Sequence, residues 1–151
     1  MLVHKSLLAL FATASLTAAG AAYAGPAVAV TFKHLGEVGS ADAVYTPVTN
    51  NEAGTYANAR PTPKTSVMQG KSDYYLVQSP LSPDVNYAMV RYKIGLKTCE
   101  FMTTFVNGYV NGVKVPKWNK GATPSGRAVC NATITSTNFL TYEWSVEFTM
   151  K

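Results

Sequence analysis

From Leu140 to Met150 the chain reads LTYEWSVEFTM, with Leu140, Tyr142, Trp144, Val146, Phe148 and Met150 at every second position. The residues between them, Thr141, Glu143, Ser145, Glu147 and Thr149, are polar. Positions two apart share a face only in an extended strand, whereas on a helix they would scatter round the cylinder. The segment is therefore read as a half-buried strand, and a half-buried strand needs a second layer to cover its apolar face.

The same period recurs. In NYAMVRYKIGLK, Ala88, Val90, Tyr92, Ile94 and Leu96 face one way, and Met89, Arg91, Lys93 and Lys97 the other. AVAVTFKHL sets Val28, Val30 and Phe32 in phase, with His34 next on that face, and DYYLVQS and AVCNATIT read as shorter strands rich in aromatic and β-branched residues. No window shows apolar spacing of three and four, and no capping box is read ahead of one. The expected class is all-β: an antiparallel β-sandwich of the immunoglobulin-like kind with one disulfide, or, as the alternative, a small β-barrel. Residues 36–72 are rich in Gly, Pro, Asn and Thr. Short edge strands are expected near Ala43–Thr49 and Thr65–Gln69, with TNNEAGTYANARPTP between them as a long loop.

Residues 1–24, MLVHKSLLALFATASLTAAGAAYA, have a basic start at His4 and Lys5, an apolar run from Leu7 to Leu16, and small residues ending Ala22-Tyr23-Ala24. This is the layout of a signal peptide, with cleavage expected between Ala24 and Gly25. Ser6, Thr13, Ser15, Thr17 and Gly20 dilute it as a membrane span. No cysteine follows the cleavage point for lipid attachment, and residues 25–151 hold no second apolar run long enough to cross a bilayer. The expectation is one secreted or periplasmic domain over residues 25–151. Without Lys5, 12 basic residues face 8 acidic ones, and charged residues make up only 14% of the chain. Such sparse charge points weakly to acidic glycans, anionic lipid headgroups or another protein subunit, and speaks against nucleic acid. In an exported chain, Cys99 and Cys130 are most simply one disulfide. Only His34 remains after cleavage to join them, so no Cys/His zinc set can be completed.

Asn107-Gly108 and Asn111-Gly112 compete for the turn of a hairpin, because both central residues of the tight turn need positive φ. The following VPKWNKGATPSG carries turn chemistry at Pro116, Gly121, Pro124 and Gly126 and is read as a loop. It gathers Lys114, Lys117, Trp118 and Lys120, an indole beside ammonium groups that suits a sugar ring or a headgroup layer. The plainer alternative folds the indole back over the core. Arg91, Lys93 and Lys97 form a second basic stripe. It meets either an anionic surface or Glu143 and Glu147 across strands.

Catalytic signals are poor. Glu143 and Glu147 lie about 13 Å apart along a strand, beyond the roughly 5–9.5 Å of glycosidase carboxylate pairs. There is no Gly-x-Ser-x-Gly elbow for a set using His34, and no phosphate loop or dinucleotide fingerprint, so no cofactor is expected. Asn131-Ala132-Thr133 matches a glycosylation acceptor, a pattern common by chance.

The expected role is non-catalytic binding or extracellular assembly. An exported sandwich with one disulfide and a short alternating N-terminal segment, GPAVAVTFKHLG, broadly resembles fimbrial subunits, in which a neighbour's strand completes the sheet. The first cysteine is not near the start of the mature chain, and the glycine-and-tyrosine C-terminal strand of that group is missing. The resemblance is thus one of fold class. The alternatives are a monomeric glycan- or membrane-binding module using the Trp118 segment, and a secreted inhibitor or immunity-type protein acting through Thr49–Thr62.

Overall fold

The computed structural model describes residues 24–151, so the expected signal segment, Ala24 apart, lies outside the described residues. The described residues form β1 (Val28–His34), β2 (Ala43–Tyr45), α1 (Asn50–Asn58), β3 (Ala59–Arg60), β4 (Ser66–Val67), β5 (Ser72–Val77), β6 (Val85–Ile94), β7 (Lys97–Val110), β8 (Val113–Ser125), β9 (Cys130–Thr137) and β10 (Trp144–Met150). Two open five-stranded sheets, β3-β5-β1-β10-β9 and β4-β2-β6-β7-β8, make a sandwich and not a closed barrel. Pairing is antiparallel except at the centre of the first sheet. There β1 runs parallel to β10, from Val28↔Trp144 to His34↔Met150.

The two-residue alternation is what builds the core. Val28, Val30, Phe32 and His34 on β1 and Trp144, Val146, Phe148 and Met150 on β10 are all buried. They meet Ala88, Val90 and Tyr92 of β6 and Phe101, Thr103 and Phe105 of β7. Phe32 stacks on Tyr92 at 3.6 Å between ring centroids, and Phe101 on Phe148 at 4.8 Å. His34 is fully buried and fully used. Its Nδ1 accepts from the Gly36 N–H at 3.0 Å, which leaves Nε2 to donate to the Ala41 carbonyl at 2.8 Å. Cys99 of β7 and Cys130 of β9 form the disulfide, with Cα atoms 5.7 Å apart, so it ties one sheet to the other.

Three expectations are corrected, and one choice left open is decided. The segment after Val48 is a helix and not a loop, because Thr49 and Glu52 make a capping box: Glu52 N–H donates to Thr49 Oγ1 and Thr49 N–H to Glu52 Oε2. α1 covers the part of the β6 edge that the three-residue β2 leaves open, and Thr55 Oγ1 accepts the Met89 N–H there at 2.9 Å. VPKWNKGATPSG is strand rather than loop, paired along β7 from Thr98↔Ser125 to Val110↔Val113. The hairpin turns at Asn111-Gly112, with φ of 50° and 81°, which leaves Asn107 inside β7. Finally, Leu96 and Leu140 lie in turns and are 94% and 93% exposed.

Arg91 does not pair with Glu143 or Glu147, because β6 and β10 lie in opposite sheets. It bonds Glu52 Oε1 at 3.0–3.1 Å and also reaches Glu100, while Glu147 pairs with Lys33 at 2.6 Å. Burial raises the Glu52 pKa, but the Thr49 and Val48 N–H groups and the Arg91 guanidinium outweigh it, and the net direction is downward. A depressed carboxyl contributes stability above its unfolded value near 4.5 and loses it as pH falls through the folded value. Glu52→Gln should therefore cost about 3 kcal/mol at pH 7. In urea unfolding, that gap from wild type should close as the pH is lowered below the unfolded value.

Candidate binding cleft at the end of the sandwich

At the end of the sandwich where the described chain begins, four segments converge. Gly25 N–H donates to Ser79 O at 2.9 Å, and Gln78 Nε2 donates to Gly25 O at 2.9 Å. Asn86, fully buried, donates from Nδ2 to Pro26 O (2.7 Å) and Val77 O (2.9 Å), while its Oδ1 accepts from Ser79 N–H (3.1 Å). A single amide thus fixes the entry to β1 against the end of β5. A Cβ at Gly25 would strike the Val85 carbonyl, so only glycine fits there.

Beside this junction lies a cleft of about 460 Å³, within the range of small-molecule sites, lined among others by Gln78, Asp84, Asn107, Lys114, Tyr142 and Glu143. Lys114 Nζ donates to both Asp84 oxygens at 2.7 and 2.8 Å. That ammonium, with help from the Asn107 amide, holds the Asp84 carboxyl below its ordinary pKa. Asn107 is 6% exposed. It donates from its backbone N–H to Asp84 O at 2.8 Å and from Nδ2 to Asp84 Oδ1 at 3.1 Å. Its Oδ1 is buried and has no partner among the described residues. Turning the amide over would set oxygen against carboxylate, so the bonding to Asp84 fixes the acceptor in place.

Tyr142 adds a second irregularity. It stands at φ 62°, a left-handed conformation that costs a bulky residue about 1–3 kcal/mol. The turn enforces it. Asn138 N–H donates to Glu143 O, and Asn138 Oδ1 accepts from the Leu140 and Thr141 N–H groups at 2.8 and 3.2 Å. The Tyr142 ring stacks on Phe105 at 5.3 Å, and its carbonyl accepts from Trp118 Nε1 at 3.2 Å. Held this way, the tyrosine lines the same cleft as Asn107.

A second hollow of about 380 Å³, lined among others by Ala29, Leu76, Ser136, Asn138 and Ser145, shares Ala27 and Glu143 with the first.

The cluster expected around Trp118 is divided between the two faces of β8. Lys114, Trp118 and Lys120 stand opposite Tyr109, Phe105 and Thr103, while Lys117 pairs with Val106 on the outer face. Trp118 packs on Phe105 and Phe139, and Lys120 Nζ donates to Ala132 O at 2.6 Å. Of those four residues, Lys114 alone lines the cleft. Arg91, Lys93 and Lys97 lie in the β6–β7 hairpin, with Arg91 bound to two carboxylates. Asn107, Asp84 and Tyr142 were not anticipated as site residues. Among the described residues, no group of three or more His, Cys, Asp or Glu is arranged to hold a metal, and no helix is long and apolar enough to cross a membrane. No family model, curated protein or solved structure matches the chain.

Because Trp118 is half-buried in an aromatic cluster, Trp118→Ala should destabilise the fold by about 2 kcal/mol. Trp118→Phe, which keeps most of the packing and loses the bond to Tyr142, should cost about 1 kcal/mol. Denaturant unfolding at neutral pH checks both values.

Proposed function

We propose that this is an exported, non-catalytic binding module that takes a polar ligand in the cleft between Asn107, Asp84 and Tyr142. The observation that carries the reading is the strained Tyr142, held by its turn in the lining of a cleft that also contains the Asp84–Lys114 ion pair. Strain of this kind gathers at functional sites. The site has no visible pairing of a base with a nucleophile, and His34, committed to backbone groups, lines neither hollow. Export is supported by the signal-like start and by the cross-sheet disulfide.

The sheet edges favour binding over strand-exchange assembly. β1 pairs on both sides within its own sheet, with β5 and β10. β3 and β4 are two residues long, and of the two longer edge strands β8 carries Pro116 and Pro124 with three lysines, features that discourage edge pairing, while β9 is an eight-residue edge. A lipid surface is the second reading, because the outer face of the β7–β8 tip presents Val106, Val110, Val113 and Val115, 42–65% exposed, beside Lys117.

Fragment titration followed by amide chemical shifts separates the two. Small polar fragments (glycerol, glucosamine, ethanolamine, acetamide) should move the Asn107 side-chain amide and the backbone of Thr141–Glu143. Shifts confined to the β7–β8 tip, together with binding to anionic phosphatidylglycerol vesicles, would replace the cleft reading with the lipid one. Shifts scattered over the surface would overturn both.

A further inference from the structure

The two hollows share Ala27 and Glu143 in their linings, so they adjoin, one on the outer face of the first sheet and the other at the end of the sandwich. Adjoining hollows suit a ligand of more than one unit. We infer that together they form a groove for an oligosaccharide without acidic groups; this rests on the cleft being the binding site.

Three features define the chemistry. First, the groove is rich in acceptors. Asp84 and Glu143 are acceptor-only carboxylates, and the neighbouring hollow adds the Ser136, Thr137 and Ser145 hydroxyls and the Asn138 amide. Hydroxyl groups of a sugar, or an amine on one, supply donors at close intervals. Second, the polar groups are interspersed with small apolar surface from Pro26, Ala27, Ala29 and Leu76, and with the Tyr142 ring held on Phe105. A pyranose has both an apolar face and a hydroxylated rim, and aromatic side chains pack against such faces. Third, the charge excludes acids. Lys114 is engaged with Asp84, and Glu143 adds a further negative charge where the hollows meet, bonded only to the Thr141 hydroxyl. A uronate or sulfate there would face like charge. Arg91, Lys93 and Lys97, which could attract acidic glycans, line neither hollow.

Most of these groups are fixed before any ligand arrives. Asn107 is held by Asp84, Asp84 by Lys114, and Tyr142 by its turn. Such preorganisation limits the ordering cost of binding.

The test titrates the mature chain with cellohexaose, chitosan hexamer and hexagalacturonate, and with glucose and glucosamine, following Trp118 and Trp144 fluorescence and calorimetric heat. At least one of the two non-acidic hexamers should bind about tenfold or more tighter than its monosaccharide, since it spans both hollows. Hexagalacturonate should bind at least about tenfold more weakly than that hexamer. Ser136→Trp, at an exposed position in the second hollow, should weaken the hexamer and spare the monosaccharide. Glu143→Gln should narrow the gap between acidic and non-acidic hexamers. Equal or tighter binding of hexagalacturonate, or a hexamer indifferent to Ser136→Trp, would overturn the inference. If none of the sugars binds while fragments still map to Asn107 and Tyr142, the sugar class is wrong and the cleft stands. If a heptalysine peptide shifts those residues and the sugars do not, the ligand is a peptide. Fragments that miss the cleft would remove the site reading itself.

Discussion

The parallel pairing of β1 with β10 places the beginning and end of the described chain side by side at the centre of one sheet. Seven consecutive residue pairs join them, and the inward side chains of both strands meet β6 and β7 across the core. The rest of the sandwich depends on this contact. If β1 were withdrawn, β5 and β10 would lose their common neighbour, and Val28, Val30, Phe32 and His34 would leave a row of cavities beneath Tyr92 and Phe101. Asn86 strengthens the arrangement at the entry to β1. All three of its bonds go to backbone groups of the entry to β1 and the end of β5, and none of those groups could reach water without disrupting the core.

The cleft follows from the same junction. The segment Ala24–Ala27 forms one wall, the β9–β10 turn that leads into β10 forms another, and Asp84, Asn107 and Lys114 close the third side. Because Asp84 precedes β6 and Asn107 and Lys114 belong to β7 and β8, the site draws on both sheets. Its polar groups are positioned by pairing between rigid elements, and Asn107 gains its unpartnered acceptor because the amide is held by its neighbour's carboxylate. Local strain at Tyr142 is tolerated because the surrounding turn is hydrogen-bonded from both ends.

Strands that bury one face were legible in the sequence, since a period of two writes itself into β1, β5, β6 and β10. What escaped had a different physical origin. α1 has little apolar content and announces itself only through Thr49 and Glu52, a capping signal that is easily lost in a stretch rich in Asn, Gly and Pro. β8 is an edge strand, and the prolines, glycine and lysines that protect such an edge also imitate a loop. Asn107 and Asn111 were equal candidates for the hairpin turn, a role that Asn111 fills. The actual position of Asn107, buried against Asp84, depends on pairing between residues 23 apart, which a local pattern does not carry. Lys114 was singled out for its neighbourhood with Trp118, and it reaches the cleft for another reason, its ion pair with Asp84.

Hydrogen exchange, resolved by residue over the described residues, tests the central placement of β1 most directly. Amides from Val28 to His34 should be among the slowest to exchange, opening only with global unfolding, as slowly as those of β6, β7 and β10 and independently of protein concentration. Rapid exchange along β1 while β6 and β7 stay protected, or protection that appears only as concentration rises, would mean that the strand is not held within its own sheet, and would contradict the account.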